Sequence, residues 1–290
     1  MSTESSDNNN KNNDTLERQL RQVLPDTIEL ARQAGQIILS IYKTDFKICN
    51  KKDNTPVTTA DFAANDHIVQ SLAQLTPHIP ILSEESETIP YAQRQEWETY
   101  WLVDPLDGTR AFIDKTGEFS VNIALIHQHQ PVIGVIYSPI KQCCFYACKG
   151  NGAFYLDEND QARAITVCNN YSVDKSKKLI IAGTQSARSP ALQDYFDNVA
   201  KLFDGYELIY MGSSLKSCMV AEGIADLYVR LGPTSEWDTA AAQCIVEEAG
   251  GLITDLHMHK LRYNTKESLL NPDFFVFGNQ NICWSRFLGK

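Results

Sequence analysis

The chain has 290 residues, of which 43% are hydrophobic and 10% aromatic, enough for one large domain or two closely joined ones. Its 26 basic and 36 acidic side chains give a net charge of −10, which excludes a broad cationic face for a nucleic-acid polymer or an anionic membrane. Any phosphate-bearing ligand must therefore be bound by a local group of donors.

The opening stretch, MSTESSDNNNKNND, has neither the basic nor the apolar segment of a secretory signal. Its composition offers too little apolar surface to offset the entropy of ordering, which predicts a disordered tail over residues 1–15. No window of the chain contains the roughly eighteen apolar residues of a membrane span. We therefore predict a soluble cytoplasmic protein, with peripheral contact at the inner membrane left open.

Two helices are predicted to precede the first strands, because apolar residues recur at a spacing of three and four over 26–43 and again near 61–75. Short apolar runs follow at 79–82 and 100–103, and each ends at acidic residues. Four further runs, separated by turn-forming residues, predict an antiparallel meander at 120–127, 132–137, 143–147 and 153–156. Residues 16–168 are thus predicted to pack helices on a mainly antiparallel sheet.

The remainder, residues 169–290, alternates between the two kinds of element and predicts an α/β half. Its predicted helices cover 189–203, a segment opened by Gly-Ser-Ser at 212–214, and 238–249, which ends at Gly250-Gly251. Its predicted strands are 179–182, 207–210, 225–229, 252–254 and 274–277. Because no linker separates the halves, we expect them to share a cleft.

The eight cysteines are scattered and lie mostly in apolar runs, which predicts reduced core thiols. Cys143, Cys144 and Cys148 form a cluster that could suggest zinc. That cluster lacks a second CxxC or a histidine pair, and residues 143–148 alternate as a strand does. A structural role is therefore the prediction for these three thiols.

Two aspartates stand three residues apart in WLVDPLDGTR, directly after an apolar run. Pro105 biases the preceding residue to extended geometry, so Asp104 is predicted to end its strand. Asp107 is predicted to return to the same side, since residues three apart on a helical turn are neighbours. A pair of carboxylates suits a hard cation, whereas capping a turn would need only one aspartate.

The residues after this pair favour anion binding. Gly108 permits close approach of the backbone, and the amides of Gly108 and Thr109 can receive an anion at a helix start. Metal-binding carboxylates and phosphate-binding amides on one short segment indicate phosphoester hydrolysis.

The blocks ILSEES, YWLVDPLDGT, GEFSVNIALI, GSSLKSCMVAEG and GPTSEWDTAAA, with KKDNTPVTTAD upstream, closely resemble the CysQ-type 3'(2'),5'-bisphosphate nucleotidases of the inositol monophosphatase superfamily. The resemblance covers nearly all of the chain after residue 15. It implies an α+β and α/β protein built as a five-layer αβαβα sandwich, with two or three Mg²⁺ ions in the cleft between the halves. The implied reaction removes the 3'-phosphate of adenosine 3',5'-bisphosphate, or of its sulfated form, and recycles AMP in sulfur assimilation.

The resemblance also assigns roles within the site. The implied metal ligands are Glu84, Asp104, the carbonyl of Leu106, Asp107 and Asp238. The implied catalytic residues are Glu84 with Asp61 and Thr109, of which the last two would orient the attacking water. Glu85 lies beside the site by its motif position. The implied substrate-binding residues are Glu84, Leu106, Asp107, Gly108, Thr109, Gly212, Ser213, Lys216, Arg230 and Asp238.

Substrate choice rests on Lys216 and Arg230. Related inositol monophosphatases place an acidic residue at the strand end that matches Arg230, whereas a guanidinium suits phosphate. We therefore expect both cations on the side of the 5'-phosphate. One departure from the family is the absence of a nucleotide-contacting histidine in TQSAR, residues 184–188, where Arg188 is the candidate replacement.

Three alternatives stay open or are disfavoured. An inositol or sugar monophosphatase is the runner-up within the same chemistry. A haloacid-dehalogenase phosphatase is disfavoured because its nucleophile motif needs aspartates two apart. A non-catalytic sensor of nucleotide or lithium is disfavoured because the whole acidic set is intact.

Two further residue patterns have structural interpretations. Lys51-Lys52 is expected on a solvated face, and Trp237 is expected to be a core anchor that fixes Asp238.

Overall fold

The computed structural model describes residues 4–51, 55–168, 176–184 and 189–288. In chain order its elements are α1 (Glu4–Tyr42), β1 (Ile48–Asn50), β2 (Pro56–Thr58), α2 (Thr59–Leu75), β3 (Ile81–Ser83), α3 (Tyr91–Arg94), β4 (Thr99–Asp107), α4 (Thr109–Ile113), β5 (Ser120–His127), β6 (Gln130–Ser138), β7 (Cys143–Cys148), β8 (Ala153–Leu156), β9 (Ala162–Ile165), β10 (Leu179–Gly183), α5 (Pro190–Ala200), β11 (Tyr206–Tyr210), α6 (Leu215–Ala221), β12 (Leu227–Arg230), α7 (Glu236–Glu248), β13 (Leu252–Asp255), β14 (Phe274–Phe277) and a 3₁₀ helix at Trp284–Phe287.

Helices α1 and α2 form the first layer. The buried residues of α1 lie on one face, at the three- and four-residue spacing that predicted the helix, and include Leu30, Ala34 and Ile38. The helix begins much earlier than predicted, at Glu4, so that residues 4–15 are helical rather than the predicted disordered tail. A helix that has already formed can lengthen without a new nucleation step, and composition alone does not reveal such lengthening. Residues 1–3 of the predicted tail lie outside the described residues.

A seven-stranded sheet forms the second layer, in the order β3-β4-β5-β6-β7-β8-β9. Strand β3 is parallel to β4, and the remaining pairs are antiparallel, which confirms the predicted meander. Its alternating residues separate two cores: Trp101 and Val103 face α1 and α2, while Tyr100 and Leu102 face the centre of the molecule. Strand β9 was missed because three of its four residues are exposed.

Helices α6 and α7 form the middle layer, between the two sheets. Helix α7 packs against the seven-stranded sheet so closely that a Cβ at Gly134 would lie 2.3 Å from the carbonyl oxygen of Ala241. Glycine at this position of β6 therefore permits the close approach of helix and sheet.

The fourth and fifth layers are a five-stranded sheet, in the order β11-β10-β12-β14-β13, and α5 with the 3₁₀ helix. Strand β10 is parallel to both of its neighbours, and β14 is antiparallel to both of its own. The molecule is thus the expected five-layer αβαβα sandwich. The seven-stranded and five-stranded sheets lie on either side of the predicted boundary between residues 168 and 169, while β1 and β2 pair as a separate two-stranded sheet. The division of the chain into domains stays a prediction.

The three clustered cysteines sit on opposite faces of β7. Cys143 belongs to the core between the sheets, whereas Cys144 and Cys148 belong to the core under α1 and α2. None of the three forms a disulfide with a described residue, as predicted for structural cysteines. Within the described ranges, no helix is long and apolar enough to cross a membrane.

Candidate active site

A β-bulge brings the two aspartates of DPLDGT to one side. Asp104 pairs with Asn122 and Asp107 with Ser120, so three residue steps on β4 oppose two on β5. Because side chains alternate along a strand, the extra residue returns Asp107 to the face of Asp104. The strand therefore continues through Pro105 to Asp107, and the prediction that it ends at Asp104 and turns as a helix is wrong. The two residues still share one side, as expected.

Asp61 is fixed by the start of α2. It is the third residue of that helix, and its Oδ2 accepts hydrogen bonds from the backbone N–H of Thr58 at 2.7 Å and from the Thr58 hydroxyl at 2.7 Å. This reciprocal arrangement is a capping box. The other oxygen, Oδ1, accepts from the Thr109 hydroxyl at 3.1 Å. Burial raises the pKa of Asp61, and the bonds from Thr58 oppose that rise.

Asp238 is held in the same way by the start of α7. It is the third residue of the helix, and its Oδ2 accepts from the backbone N–H of Ser235 at 2.8 Å. Its neighbour Trp237 packs against the central core, as expected of an anchor for this aspartate. Burial, followed by the charge of Asp107, raises the pKa of Asp238 to about 7.

Three carboxylates converge where these elements meet. The three are Glu84, which follows β3, Asp104 on β4 and Asp238 on α7. One carboxylate oxygen from each lies within 4.8 Å of the other two, so that, among the described residues, this group could hold a metal ion. Burial raises the pKa of Asp104 well above its ordinary value, and the charges of Glu84 and Asp107 add to the effect. Buried carboxylates this close together are stable in their charged form only with a cation beside them.

Asp107 lies beside this group. Its Oδ2 accepts from the backbone N–H of Ser214 at 2.5 Å, from the Ser214 hydroxyl at 2.6 Å and from the Asn122 amide at 3.2 Å. None of these bonds uses Oδ1. Between the two aspartates, the backbone N–H of Leu106 donates to Asp104 Oδ1 at 3.0 Å, and the Leu106 carbonyl lies 3.3 Å from the Thr109 hydroxyl.

Lys51 supplies a countercharge that the sequence did not predict. Its ammonium donates to Glu84 Oε1 at 2.6 Å and also to Glu85, and only 23% of its side chain is exposed. Burial alone would lower the pKa of Lys51, but the two carboxylates outweigh it and raise the pKa. Burial raises the pKa of Glu85 to about 7, against the effect of Lys51. The expected solvated face is therefore wrong for Lys51, and Lys52 lies outside the described residues.

Gly108 joins β4 to α4 in the left-handed conformation, with φ 92°, and a Cβ there would lie 3.1 Å from the carbonyl oxygen of Glu118. Gly212 faces the same carbonyl, where a Cβ would come within 2.5 Å. Both positions therefore favour glycine, because the backbone of Glu118 passes close to each of them. Helix α4 begins at Thr109, which leaves the first amides of that helix without intrahelical partners.

A cleft of about 590 Å³ extends from Asp107 and Asp238 toward β12. Gly108, Gly212 and Ser213 line it, together with the two cations predicted for the second phosphate, Lys216 and Arg230. Ser213 precedes α6 in the left-handed region, with φ 50°, and its hydroxyl lies 3.3 Å from that of Ser120. Two of the predicted metal ligands, Asp107 and Asp238, thus line the same cavity as the two cations predicted for the second phosphate.

The two cations are differently held. Lys216 is buried, its ammonium donates to the carbonyl of Ser213 at 2.7 Å, and burial lowers its pKa to about 8. The guanidinium of Arg230 donates to the carbonyl of Pro233 at 3.1 Å, while its buried Nε has no hydrogen-bond partner in the described part of the chain. Thr184 also lines the cleft, whereas Arg188 lies outside the described residues.

Comparison with known proteins agrees with this geometry. The sequence model of the inositol monophosphatase family matches residues 19–279. The chain belongs to the inositol monophosphatase family. The match includes both sheets and each of the acidic residues that the predictions assigned to the site.

Within the inositol monophosphatase family, the chain is similar to proteins named 3'(2'),5'-bisphosphate nucleotidase CysQ. That of Aggregatibacter actinomycetemcomitans is 41% identical over 265 residues, which cover 91% of this chain and 96% of the relative. That of Salmonella typhimurium is 41% identical over 256 residues, which cover 88% and 99%. The crystal structure of CysQ from Bacteroides thetaiotaomicron superposes with a TM-score of 0.75 at 38% identity, covering 87% of this chain and 96% of that one.

Proposed function

We propose that this protein is a Mg²⁺-dependent 3'(2'),5'-bisphosphate nucleotidase that removes the 3'-phosphate of adenosine 3',5'-bisphosphate to give AMP. The observation that carries this proposal is the shared cleft, which is lined by the carboxylates Asp107 and Asp238 and by the cations Lys216 and Arg230. A substrate with two phosphates can place one beside the carboxylates and the other beside the cations. The similarity to CysQ proteins supports the same substrate class.

The carboxylate group fits Mg²⁺, because it offers hard oxygen ligands in a buried place where the pKa values of Glu84, Asp104 and Asp238 are all raised by burial. We assign two or three ions to Glu84, Asp104, Asp107, Asp238 and the Leu106 carbonyl. When bound, these ions would supply Lewis-acid polarisation of water and neutralisation of phosphoryl charge.

The attacking water is assigned to Asp61 and Thr109. The Thr109 hydroxyl donates its proton toward Asp61 Oδ1 at 3.1 Å, which leaves the hydroxyl oxygen free to accept a hydrogen bond from water. A water held there can direct its lone pair at phosphorus and pass a proton toward Asp61 as the new O–P bond forms. The bond from phosphorus to the 3'-oxygen breaks, and that oxygen takes a proton from solvent.

The scissile phosphate is assigned to the backbone amides of Gly108 and Thr109, at the start of α4. Ser213, which lies close to Gly108 in the lining of the cleft, is assigned as a further hydrogen-bond donor. These groups orient the phosphate without adding to the negative charge of the carboxylate end.

The 5'-phosphate is assigned to Lys216 and Arg230. Burial lowers the pKa of Lys216 to about 8 although the charges of Asp107, Glu118 and Asp238 oppose this effect, and a bound phosphate would raise that pKa toward its ordinary value. Arg230 lines the cleft and can offer guanidinium N–H groups to this phosphate. An inositol monophosphate would leave these two cations without a phosphate partner, and the runner-up function is therefore disfavoured.

The cellular setting follows from the reaction. Adenosine 3',5'-bisphosphate and its sulfated form belong to sulfur assimilation, and we propose the cytoplasm as the compartment, with peripheral contact at the inner membrane left open. The net charge of −10 disfavours a nucleic-acid polymer as a partner. We also propose sensitivity to Li⁺, which would compete for the carboxylate oxygens.

The test compares Mg²⁺-dependent phosphate release from adenosine 3',5'-bisphosphate, its sulfated form, inositol 1-phosphate and fructose 1,6-bisphosphate at equal concentrations. We expect the two nucleotides to be cleaved at least tenfold faster than the sugar phosphates. Preference for inositol 1-phosphate would replace this function by the runner-up. Absence of phosphate release from all four would support a non-catalytic sensor.

A further inference from the structure

Ser214 connects three parts of the candidate site. Its hydroxyl accepts a hydrogen bond from the Asn122 amide at 2.9 Å and lies 2.6 Å from Asp107 Oδ2 and 2.7 Å from the carbonyl oxygen of Asp238. These partners lie on β5, at the end of β4 and on α7. Ser214 itself precedes α6, so one buried side chain joins the strand end that carries Asp107 to the helix that carries Asp238.

Proton counting limits what this hydroxyl can do. A serine hydroxyl has one proton, so it can donate either to Asp107 or to the carbonyl of Asp238, while its oxygen accepts from Asn122. The backbone N–H of Ser214 donates to the same Oδ2 of Asp107, at 2.5 Å. Together with Asn122, residue 214 therefore directs up to three hydrogens at one oxygen of Asp107 and leaves Oδ1 available for a cation.

Asn122 is itself held in one orientation. It is buried, and its side-chain oxygen accepts from the Ser120 hydroxyl at 2.9 Å, which fixes its amide nitrogen toward Asp107 and Ser214. The bulge in β4 explains why this is possible, because Asn122 is paired with Asp104 while its side chain reaches Asp107. The carboxylate of Asp107 is thus restrained by groups from β5 and from the segment before α6.

We infer that Ser214 and Asn122 are positioning residues that restrain the Asp107 carboxylate with Oδ1 presented to a bound Mg²⁺ ion and couple its position to that of Asp238. The inference rests on the proposed function. Hydrogen-bonded partners of metal ligands fix ligand orientation, and their loss typically lowers metal affinity or activity about 10–100-fold. A purely structural role, in which Ser214 only joins the two halves, would affect unfolding without a specific effect on Mg²⁺.

The experiment measures Mg²⁺ binding to the full-length protein by calorimetry in the absence of substrate, for the wild type and for Ser214→Ala. The matched control is Ser138→Ala, which deletes a buried hydroxyl that has no hydrogen-bond partner among the described residues. We expect Ser214→Ala to raise the Kd for Mg²⁺ about 10–100-fold, and Ser138→Ala to change it less than about twofold. Ser214→Thr, which keeps the hydroxyl, should recover most of the affinity.

Two further measurements separate orientation from folding. Thermal unfolding in EDTA reports the structural cost of each variant, and kcat at saturating Mg²⁺ reports whether the site still assembles. We expect kcat of Ser214→Ala to stay within about fivefold of the wild type, because Asp107 itself is retained. If Ser214→Ala does not fold, Asn122→Ala replaces it, with an expected rise in Kd of about threefold or more.

The outcomes are distinguishable. An unchanged Kd for Mg²⁺ combined with a lower melting temperature in EDTA would overturn the inference and leave the proposed function intact. A wild-type protein that binds no Mg²⁺ and releases no phosphate would overturn both.

Discussion

Asp61 and Asp238 occupy equivalent positions in two helices: each is the third residue after the N-cap of a capping box, and the Oδ2 of each accepts a hydrogen bond from the backbone N–H of that N-cap residue. The helices lie in different layers, on opposite sides of the seven-stranded sheet. Each carboxylate is thus oriented by the start of a helix through its Oδ2, and its Oδ1 takes no part in the bond to the N-cap backbone. The same interaction that stabilises each helix also positions a residue of the candidate site.

Asp107→Asn should remove turnover while leaving the fold intact. The amide oxygen can still accept from the N–H of Ser214, but one of the negative charges that a cation requires is lost. In EDTA the variant should be slightly more stable than the wild type, because repulsion within the carboxylate group decreases. The measurements are phosphate release at saturating Mg²⁺ and thermal unfolding in EDTA; substantial turnover would contradict the metal assignment.

The stability of the metal-free protein should depend on pH in a defined direction. Burial raises the pKa values of Glu85, Glu236 and Asp238 to about 7, above the ordinary values of 4.5, 4.5 and 3.8. Between about pH 4 and 7 the folded state therefore binds more protons than the unfolded state. Proton binding by these three carboxyl groups thus stabilises the folded state. This stabilisation is fully present below their ordinary pKa values and is lost as the pH rises toward about 7.

Mg²⁺ should reverse this trend, since metal binding requires the deprotonated ligands. We expect the increase in melting temperature caused by Mg²⁺ to grow from pH 5 to pH 8, measured as the difference between parallel scans with Mg²⁺ and with EDTA. An increase that is constant with pH would show that protons and Mg²⁺ do not compete for these carboxylates.

Li⁺ should inhibit turnover by occupying an oxygen-lined Mg²⁺ position without supplying divalent charge. The relevant assay follows phosphate release from adenosine 3',5'-bisphosphate at low Mg²⁺ with Li⁺ or Na⁺ in the millimolar range at equal ionic strength. We expect the rate to fall with Li⁺ but not with Na⁺. Because Li⁺ and Mg²⁺ would compete for the same oxygen ligands, excess Mg²⁺ should restore the rate. A rate that is the same in both salts would contradict this prediction.

Arg230→Ala should reduce kcat/KM for adenosine 3',5'-bisphosphate by roughly one to two decades, because losing a charge-assisted contact costs about 1.5–3 kcal/mol. Adenosine 3'-monophosphate, which lacks the 5'-phosphate, should be affected far less. Arg262→Ala, at an exposed position outside the lining of the cleft, serves as the control. Equal losses on both substrates would show that Arg230 supports the fold or the metal site instead.

Local patterns predicted most of the helices and strands, because each element carries its own periodicity, whereas the five-layer arrangement was implied by the family resemblance. The meander and the α/β half follow from alternating apolar residues and from turn-forming residues between them. Strand β9 was missed because its exposed ARAI sequence has no such pattern, and the start of α1 was missed because helix extension depends on the packed segment that follows.

From the residues alone, the site was predictable only where a motif is contiguous; the convergence of Glu84, Asp104 and Asp238 from separate segments was implied by the family resemblance. The proximity of Asp104 and Asp107 could be expected from DPLDGT, although a bulge against β5 creates it. The pairing of Lys51 with Glu84 crosses 33 positions, and that of Ser214 with Asp107 crosses 107. Nothing in the local sequence indicates such pairs, because the packing of separate layers brings them together.

The most direct test of the central claim identifies which phosphate leaves. The wild-type enzyme is incubated with adenosine 3',5'-bisphosphate and Mg²⁺, and the nucleoside product is separated by chromatography alongside adenosine 5'- and 3'-monophosphate standards. Because we assign the 3'-phosphate to the carboxylates and the 5'-phosphate to Lys216 and Arg230, which line the same cleft as Asp107 and Asp238, we predict adenosine 5'-monophosphate as the product, with one phosphate released per nucleotide and no reaction in EDTA. Adenosine 3'-monophosphate as the main product, or undiminished release in EDTA, would contradict the account.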